Sequence, residues 1–183
     1  MANWLHRFTK EYRTSSDPPL HQQYLWIRNP DLSAVAGELP DAWIVDGDAV
    51  RLPTEQEWVP INAARLAAAK SAKLQAIDSR TASLIANGSV LVNGESISTS
   101  LEAQVSMQGI RVLVAEGKMT LPRTVSATGG YSYTIESTAD LARIGGLMGA
   151  FVEGKKAAGR AIRSQVLAAS TVAEVDAVVD DRT

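Results

Sequence analysis

The sequence predicts an α+β protein, in which a small antiparallel sheet packs with long helices and follows an extended N-terminal arm that carries its own β-hairpin. Three observations lead to this fold class. Asp-Gly and Asn-Gly pairs each lie between two short runs of apolar residues, which is a strong hairpin signal. Alanine-rich stretches with helical periodicity and capping residues fill much of the rest. The composition also changes near residue 60, because all four tryptophans and both histidines precede it.

This change in composition predicts two parts, an extended N-terminal arm of residues 1–53 and an α+β domain of residues 54–183. The arm shows no helical period, and Pro18, Pro19 and Pro30 prevent helix formation there. Its last part, AWIVDGDAVRLP, places Asp46-Gly47 between two apolar runs and predicts a hairpin over 42–52.

The second part opens with a predicted helix over 61–86. Thr54 and Glu57 have the spacing of a capping box, so the helix could also begin before Pro60. Asn87-Gly88 provides the stop signal. The apolar residues that fall roughly on one stripe of this helix are Ile61, Leu66, Leu74, Ile77 and Leu84.

The segment SVLVNGESIST predicts a second hairpin, over 89–99, because Asn93-Gly94 joins two alternating runs. Thr99 and Glu102 have helix-starting spacing and predict a helix over 100–116. Alternation in YSYTI predicts a strand over about 131–136, which we expect to extend the hairpin to three strands.

Ser137 and Asp140 predict the start of a long helix over 138–169. Five glycines lie in its pattern, and each costs up to about 1 kcal/mol relative to alanine, so either backbones approach closely there or the helix breaks. Thr171 and Glu174 have the same capping spacing and predict a short helix at TVAEVDAVV, and the final DDRT should be a solvated tail.

Composition and motif spacing argue against several functions. The formal net charge is −2, with 18 basic and 20 acidic residues spread along the chain, so we expect no nucleic-acid partner. The chain has no cysteine and no apolar run of membrane-spanning length, so we expect no thiolate metal site and no membrane partner. His6, His21 and Asp17 fit no recurrent metal spacing. We therefore predict no catalytic residue, no cofactor and no metal.

The residues that we expect to bind a partner lie in the arm. Large aromatic side chains dominate interface energetics, and four in a short arm exceed what a small local core can bury. The candidate anchors are therefore Trp4, Trp26, Trp43 and Trp58. The Asp46-Gly47 turn is a second candidate contact.

Three blocks of sequence, VLVNGESISTSLEAQ, YSYTIESTADL and TVAEVDAV, carry a resemblance to a known family. Over about residues 64–179 the chain resembles the DUF4376 family of bacteriophage proteins, and its N-terminal part more loosely resembles leader segments of phage proteins that carry this domain. The resemblance implies a protein of the phage tail module, near the tail fibre or baseplate. It implies no enzymatic residue.

From this resemblance we expect a non-enzymatic virion protein, made in the host bacterial cytoplasm and located in the tail, baseplate or fibre-attachment region. Its partners would be other phage structural proteins and copies of itself. Two alternatives stay open, a tail-fibre assembly chaperone and a carbohydrate- or receptor-binding module. The second would use Tyr131, Tyr133 and tryptophans as an exposed aromatic patch.

Overall fold

The computed structural model describes residues 1–15, 23–130 and 132–183. They form two compact units, Met1–Ala67 and Ala68–Thr183. The boundary thus lies inside the first long helix, beyond the division at 53/54 expected from composition. Five residues on which predictions depend lie outside the described residues: Asp17, Pro18, Pro19, His21 and Tyr131.

The first unit contains a three-stranded antiparallel sheet instead of a purely extended arm. Strand β1 (Ala2–His6) lies between β2 (Tyr12–Ser15) and β3 (Trp26–Arg28). The register places Leu5 opposite Tyr12 and Ile27. One face of the sheet therefore contributes to a small buried core, which consists of Leu5, Ile27, Val35, Trp43 and Val50. Strands of three to five residues are too short to show a clear period, which is why the sequence reads as irregular.

The predicted hairpin over 42–52 is confirmed, with β4 (Ile44–Asp46) paired to β5 (Ala49–Arg51). Gly47 sits in the turn with φ +59°, a conformation that favours glycine. Helix α1 (Glu55–Ala86) begins before Pro60. Its capping box forms as expected, because the Thr54 N–H donates to Glu57 Oε2 at 2.8 Å and the Glu57 N–H donates to Thr54 Oγ1 at 3.4 Å.

Glu57 should also make stability depend on acid pH. Arg51 donates two hydrogen bonds to its carboxylate, at 2.7 and 3.0 Å, and these lower the pKa of Glu57 from 4.5 to about 2. The stabilisation is therefore complete above pH 4.5 and is lost as pH falls through 2. Between these pH values, wild-type protein should lose more free energy of unfolding than Glu57→Gln. Chemical denaturation at several pH values checks this, and equal losses in both proteins would contradict it.

The second unit begins within α1 and continues with the hairpin predicted over 89–99, formed by β6 (Ser89–Val92) and β7 (Glu95–Ser98). Asn93 and Gly94 both have positive φ, +52° and +86°, as this turn requires. Helix α2 (Leu101–Ala115) follows, but its cap is Ser100, whose Oγ accepts from the Ala103 N–H. Thr99, the cap expected from the sequence, is fully buried and donates to the Ile85 carbonyl at 2.8 Å.

The strand predicted over 131–136 forms, but it does not extend the hairpin within the described residues. Strand β9 (Ser132–Ile135) pairs instead with β8 (Arg123–Ser126), and the two make a separate two-stranded sheet. The sequence RTVS has one apolar residue, so β8 carries no readable alternation. The backbone of β8 forms the inter-strand hydrogen bonds of β9. The β6–β7 hairpin contacts this sheet through side chains of a shared core.

Helix α3 (Thr138–Ala168) is continuous, and α4 (Val172–Ala177) follows it. Their predicted caps are confirmed, since Ser137 Oγ accepts from the Asp140 N–H and Thr171 Oγ1 accepts from the Glu174 N–H. Of the five glycines, Gly159 alone lacks room for a Cβ. The core of this unit combines both small sheets with α2 and α3, through Val90, Val92, Ile97, Met107, Ile110, Ala127, Tyr133, Ile135, Leu141, Ile144 and Met148.

Candidate functional site

Two of the four candidate tryptophan anchors are buried. Trp43 belongs to the core of the first unit, and its indole N–H donates to the Glu38 carbonyl at 3.1 Å. Trp4 is 8% exposed. The first unit thus buries more aromatic surface than the sequence suggested, although only Trp43 belongs to its small core. Because both side chains are buried within the chain, neither Trp4 nor Trp43 offers its ring to a partner.

Trp26 and Trp58 are half-buried, and an arginine lies over each ring. Arg13 is 5.5 Å from the Trp26 ring centroid, and Arg65 is 5.5 Å from that of Trp58. Arg65 also holds Asp41 through two hydrogen bonds of 2.8 and 2.9 Å, which lower the pKa of that carboxyl. These two rings keep part of their surface exposed and stay candidate contacts.

His6 lies next to Trp26, but its surroundings do not resemble a metal site. Its ring packs edge-on against Trp26 at 4.9 Å, and its Nδ1 accepts from the Thr9 N–H at 3.1 Å. Across the described ranges, no group of three acidic, histidine or cysteine side chains could hold a metal ion.

The Asp46-Gly47 turn is exposed, as a contact site should be. Its backbone is tied down within the first unit, because Arg7 donates to the Gly47 carbonyl and pairs with Asp48. The Asp46 carboxylate stays at the surface. The turn is therefore a fixed protrusion, and its role in partner binding is still a prediction.

A polar cluster that the sequence did not reveal lies around the Asn93 turn. Arg143 donates to Asn93 Oδ1 at 3.1 Å, to the Tyr133 hydroxyl at 3.2 Å and to Asp140 Oδ1 at 2.7 Å. Asn93 Nδ2 also contacts the Tyr133 hydroxyl, at 3.3 Å. The members come from a turn, a strand and a helix up to 50 residues apart in sequence, so no local spacing could have indicated them.

The chemistry of this cluster indicates a structural role. Burial and the nearby Asp140 raise the pKa of Tyr133, whereas Arg143 lowers the pKa of Asp140. The phenol thus stays neutral and the carboxylate stays charged, so neither is poised to exchange a proton near neutral pH. Tyr133 is 5% exposed, so its ring offers no platform for a sugar. The cluster instead fixes the turn against α3.

Arg143→Ala should lower the free energy of unfolding of the second unit by more than Arg160→Ala does, because it leaves the buried Tyr133 hydroxyl and the Asn93 amide with fewer partners. Arg160→Ala is the matched control on the same helix, since its guanidinium is exposed, and it should change stability by less than about 0.5 kcal/mol. Urea denaturation followed by circular dichroism measures both. Equal effects would show that the cluster does not stabilise the fold.

One face of α2 exposes four large apolar side chains, those of Leu101, Val105, Val112 and Leu113. Leu101 is 73% exposed and Val105 is 63% exposed, whereas Met107 and Ile110 on the opposite side are buried. The spacing from Leu101 through Val105 and Gln108 to Val112 is four, three and four residues, as in a coiled-coil seam. The residues that line this face are uncharged: Leu101, Gln104, Val105, Gln108, Gly109, Val112 and Leu113. We call it the α2 face. The exposed Glu102, seven residues before Gly109, borders it.

Comparison with known proteins adds no relative. No family model matches the chain, no curated protein matches it, and no solved structure matches its fold. Among the described helices, none combines the length and hydropathy that crossing a membrane requires.

Proposed function

We propose that this chain is a non-enzymatic structural protein of a bacteriophage virion, located in the tail, baseplate or fibre-attachment region. The α2 face carries the proposal, because it lies within the segment that resembles the DUF4376 family and leaves an apolar helix surface uncovered. Contiguous exposed apolar surface favours a protein partner. A protein that functions inside an assembly has such a partner permanently.

The partner that fits the α2 face best is a second copy of the same face. The face is uncharged, so it suits a partner that is uncharged too. When two copies of α2 pack antiparallel about a twofold axis, Leu101 meets Val112 of the partner copy and Val105 meets Gln108, so the pattern is self-complementary. Gly109, whose Cβ position is open, allows the two helices to approach closely.

The first unit supplies the surfaces that we propose for docking on other tail proteins. Trp26 and Trp58 keep part of their rings exposed, and the Asp46-Gly47 turn protrudes. Half-exposed aromatic rings under arginines can be covered by a partner without first unpacking a core. This narrows the proposed anchors from four tryptophans to two.

Val105→Glu should weaken self-association through the α2 face, because it places two carboxylates within an apolar seam. The control is Ser106→Glu, which adds the same charge one residue along the same helix, outside the face. Sedimentation equilibrium of the purified chains measures the result. We expect a dimer for wild type and Ser106→Glu and at least a tenfold weaker association for Val105→Glu. Equal association of all three would exclude this face.

Fractionation of a lysate from infected cells tests the proposed function itself. A structural protein should sediment with mature particles in a density gradient and stay with them after a high-salt wash. The tail-fibre assembly chaperone that we kept as an alternative should instead sediment with unassembled fibres. Exclusive recovery with the fibres would overturn the proposal in favour of that alternative.

A further inference from the structure

The last residues of the chain do not form the solvated tail that the sequence predicts. Residues 178–183, which we call the strap, follow α4 without regular secondary structure. Arg182, in the middle of four polar residues, is only 9% exposed. An arginine is almost never buried unless its donors are satisfied, so a specific arrangement must receive it.

The guanidinium of Arg182 enters a site made by α1 and α3, which we call the Arg182 socket. It donates to the Ile77 carbonyl at 3.1 Å, to Thr81 Oγ1 at 2.8 Å and to the Lys155 carbonyl at 3.4 Å. A Cβ on Gly159 would lie 2.8 Å from both the guanidinium and Thr81 Oγ1. The socket therefore requires glycine at this position, and this accounts for one of the five glycines in α3.

The strap carries its own counter-charge. Asp180 accepts from Arg182 Nε at 2.7 Å and from Nη2 at 2.6 Å, while the socket contributes only carbonyls and a hydroxyl from the helices. Arg80 further holds the strap by donating to the Arg182 carbonyl at 3.0 Å. Arg80 also pairs with Asp180 at 3.6 Å, but its side chain is 45% exposed. Because Arg182 and Asp180 leave the socket together, neither the strap nor the socket keeps an unpaired buried charge.

We propose that the Arg182 socket is an exchangeable guanidinium-binding site, filled by the strap of the same copy in a free chain and by the strap of a neighbouring copy when copies are packed together. The proposal rests on the self-association proposed above. Each contact joins segments 27, 101 or 105 residues apart and involves no covalent bond, so it is equally available between copies. The strap can move without breaking a helix or a strand, and its six residues reach about 20 Å.

The socket is tested by supplying the strap as a separate molecule. Arg182→Ala leaves the socket empty, and a hexapeptide with the sequence of residues 178–183, VVDDRT, should bind it. Saturating peptide should raise the Tm of Arg182→Ala by roughly 3 °C and leave wild-type Tm unchanged, because the wild-type socket is already filled. The peptide VVDDAT is the control. If Arg182→Ala does not fold alone, VVDDRT should restore its refolding. No effect of VVDDRT in either experiment would overturn the site.

Exchange between copies needs a second experiment, in which two full-length variants are mixed. Arg182→Ala has a free socket but no arginine, and Gly159→Val has an intact strap but a blocked socket. The mixture should show a higher Tm for Arg182→Ala than the variant shows alone, whereas mixing with the double variant G159V/R182A should not. A response to the peptide without a response to the mixture would reject exchange. Neither result depends on whether the chain occurs in virions, which lysate fractionation decides.

Discussion

Trp43→Ala should lower the free energy of unfolding of the first unit by about 3 to 5 kcal/mol, enough to unfold a unit of this size. The Trp43 side chain is 9% exposed and packs in the core with Leu5 and Val50. The substitution also removes the hydrogen bond from the indole N–H to the Glu38 carbonyl. Truncating it would remove more buried apolar surface than any other single substitution in that small core.

The control for Trp43→Ala is Trp26→Ala, which removes the same side chain from a half-buried position and should cost less than half as much. All four tryptophans lie within Met1–Ala67, so tryptophan fluorescence during urea denaturation reports on this unit, and each variant retains three of them. Equal losses would mean that Trp43 is not a core residue. If Trp43→Ala hardly changes the free energy of unfolding, Trp43 becomes a candidate partner contact again.

Ile144→Ala should lower the free energy of unfolding of the second unit by about 2 to 5 kcal/mol. Ile144 is fully buried in the N-terminal half of α3, where it packs in the core shared by both small sheets and α2. Truncation leaves a cavity between elements that the Asn93 cluster holds in place, so the surroundings cannot collapse freely onto it.

Leu147→Ala is the matched control for Ile144→Ala, because it removes an aliphatic side chain of the same size from the exposed side of the same helix. It should cost less than about 1 kcal/mol. Circular dichroism at 222 nm follows the helices through denaturation, while tryptophan fluorescence should show the first unit unchanged. A loss for Leu147→Ala as large as that for Ile144→Ala would contradict the described packing of α3.

The sequence predicted the elements whose signals are local. The Asp46-Gly47 and Asn93-Gly94 turns, the Thr54 box and the Ser137 cap each depend on residues within a few positions of one another, and all formed as expected. The helix α3 also followed from its periodicity, in spite of its glycines.

What the sequence did not predict depends on contacts between distant segments. Strand β8 gains its structure only by pairing with β9, and Thr99 was misread as a cap because its hydroxyl bonds to the Ile85 carbonyl instead. The burial of Arg182 requires carbonyls from α1 and α3 and a missing Cβ at Gly159. The residues of DDRT alone give no sign that Arg182 is buried. The same holds for the cluster around Arg143.

The proposal that this chain is a virion protein assembled through its α2 face is tested most directly by hydroxyl-radical footprinting of purified phage particles, read by mass spectrometry. Leu101 and Val105 are largely exposed in the single chain, so the free Val105→Glu protein provides the unprotected reference at Leu101. We expect the chain to be present in salt-washed particles, with Leu101 at least several-fold less reactive than in that reference. Absence of the chain from the particles, or equal reactivity of Leu101 in both, would contradict the proposal.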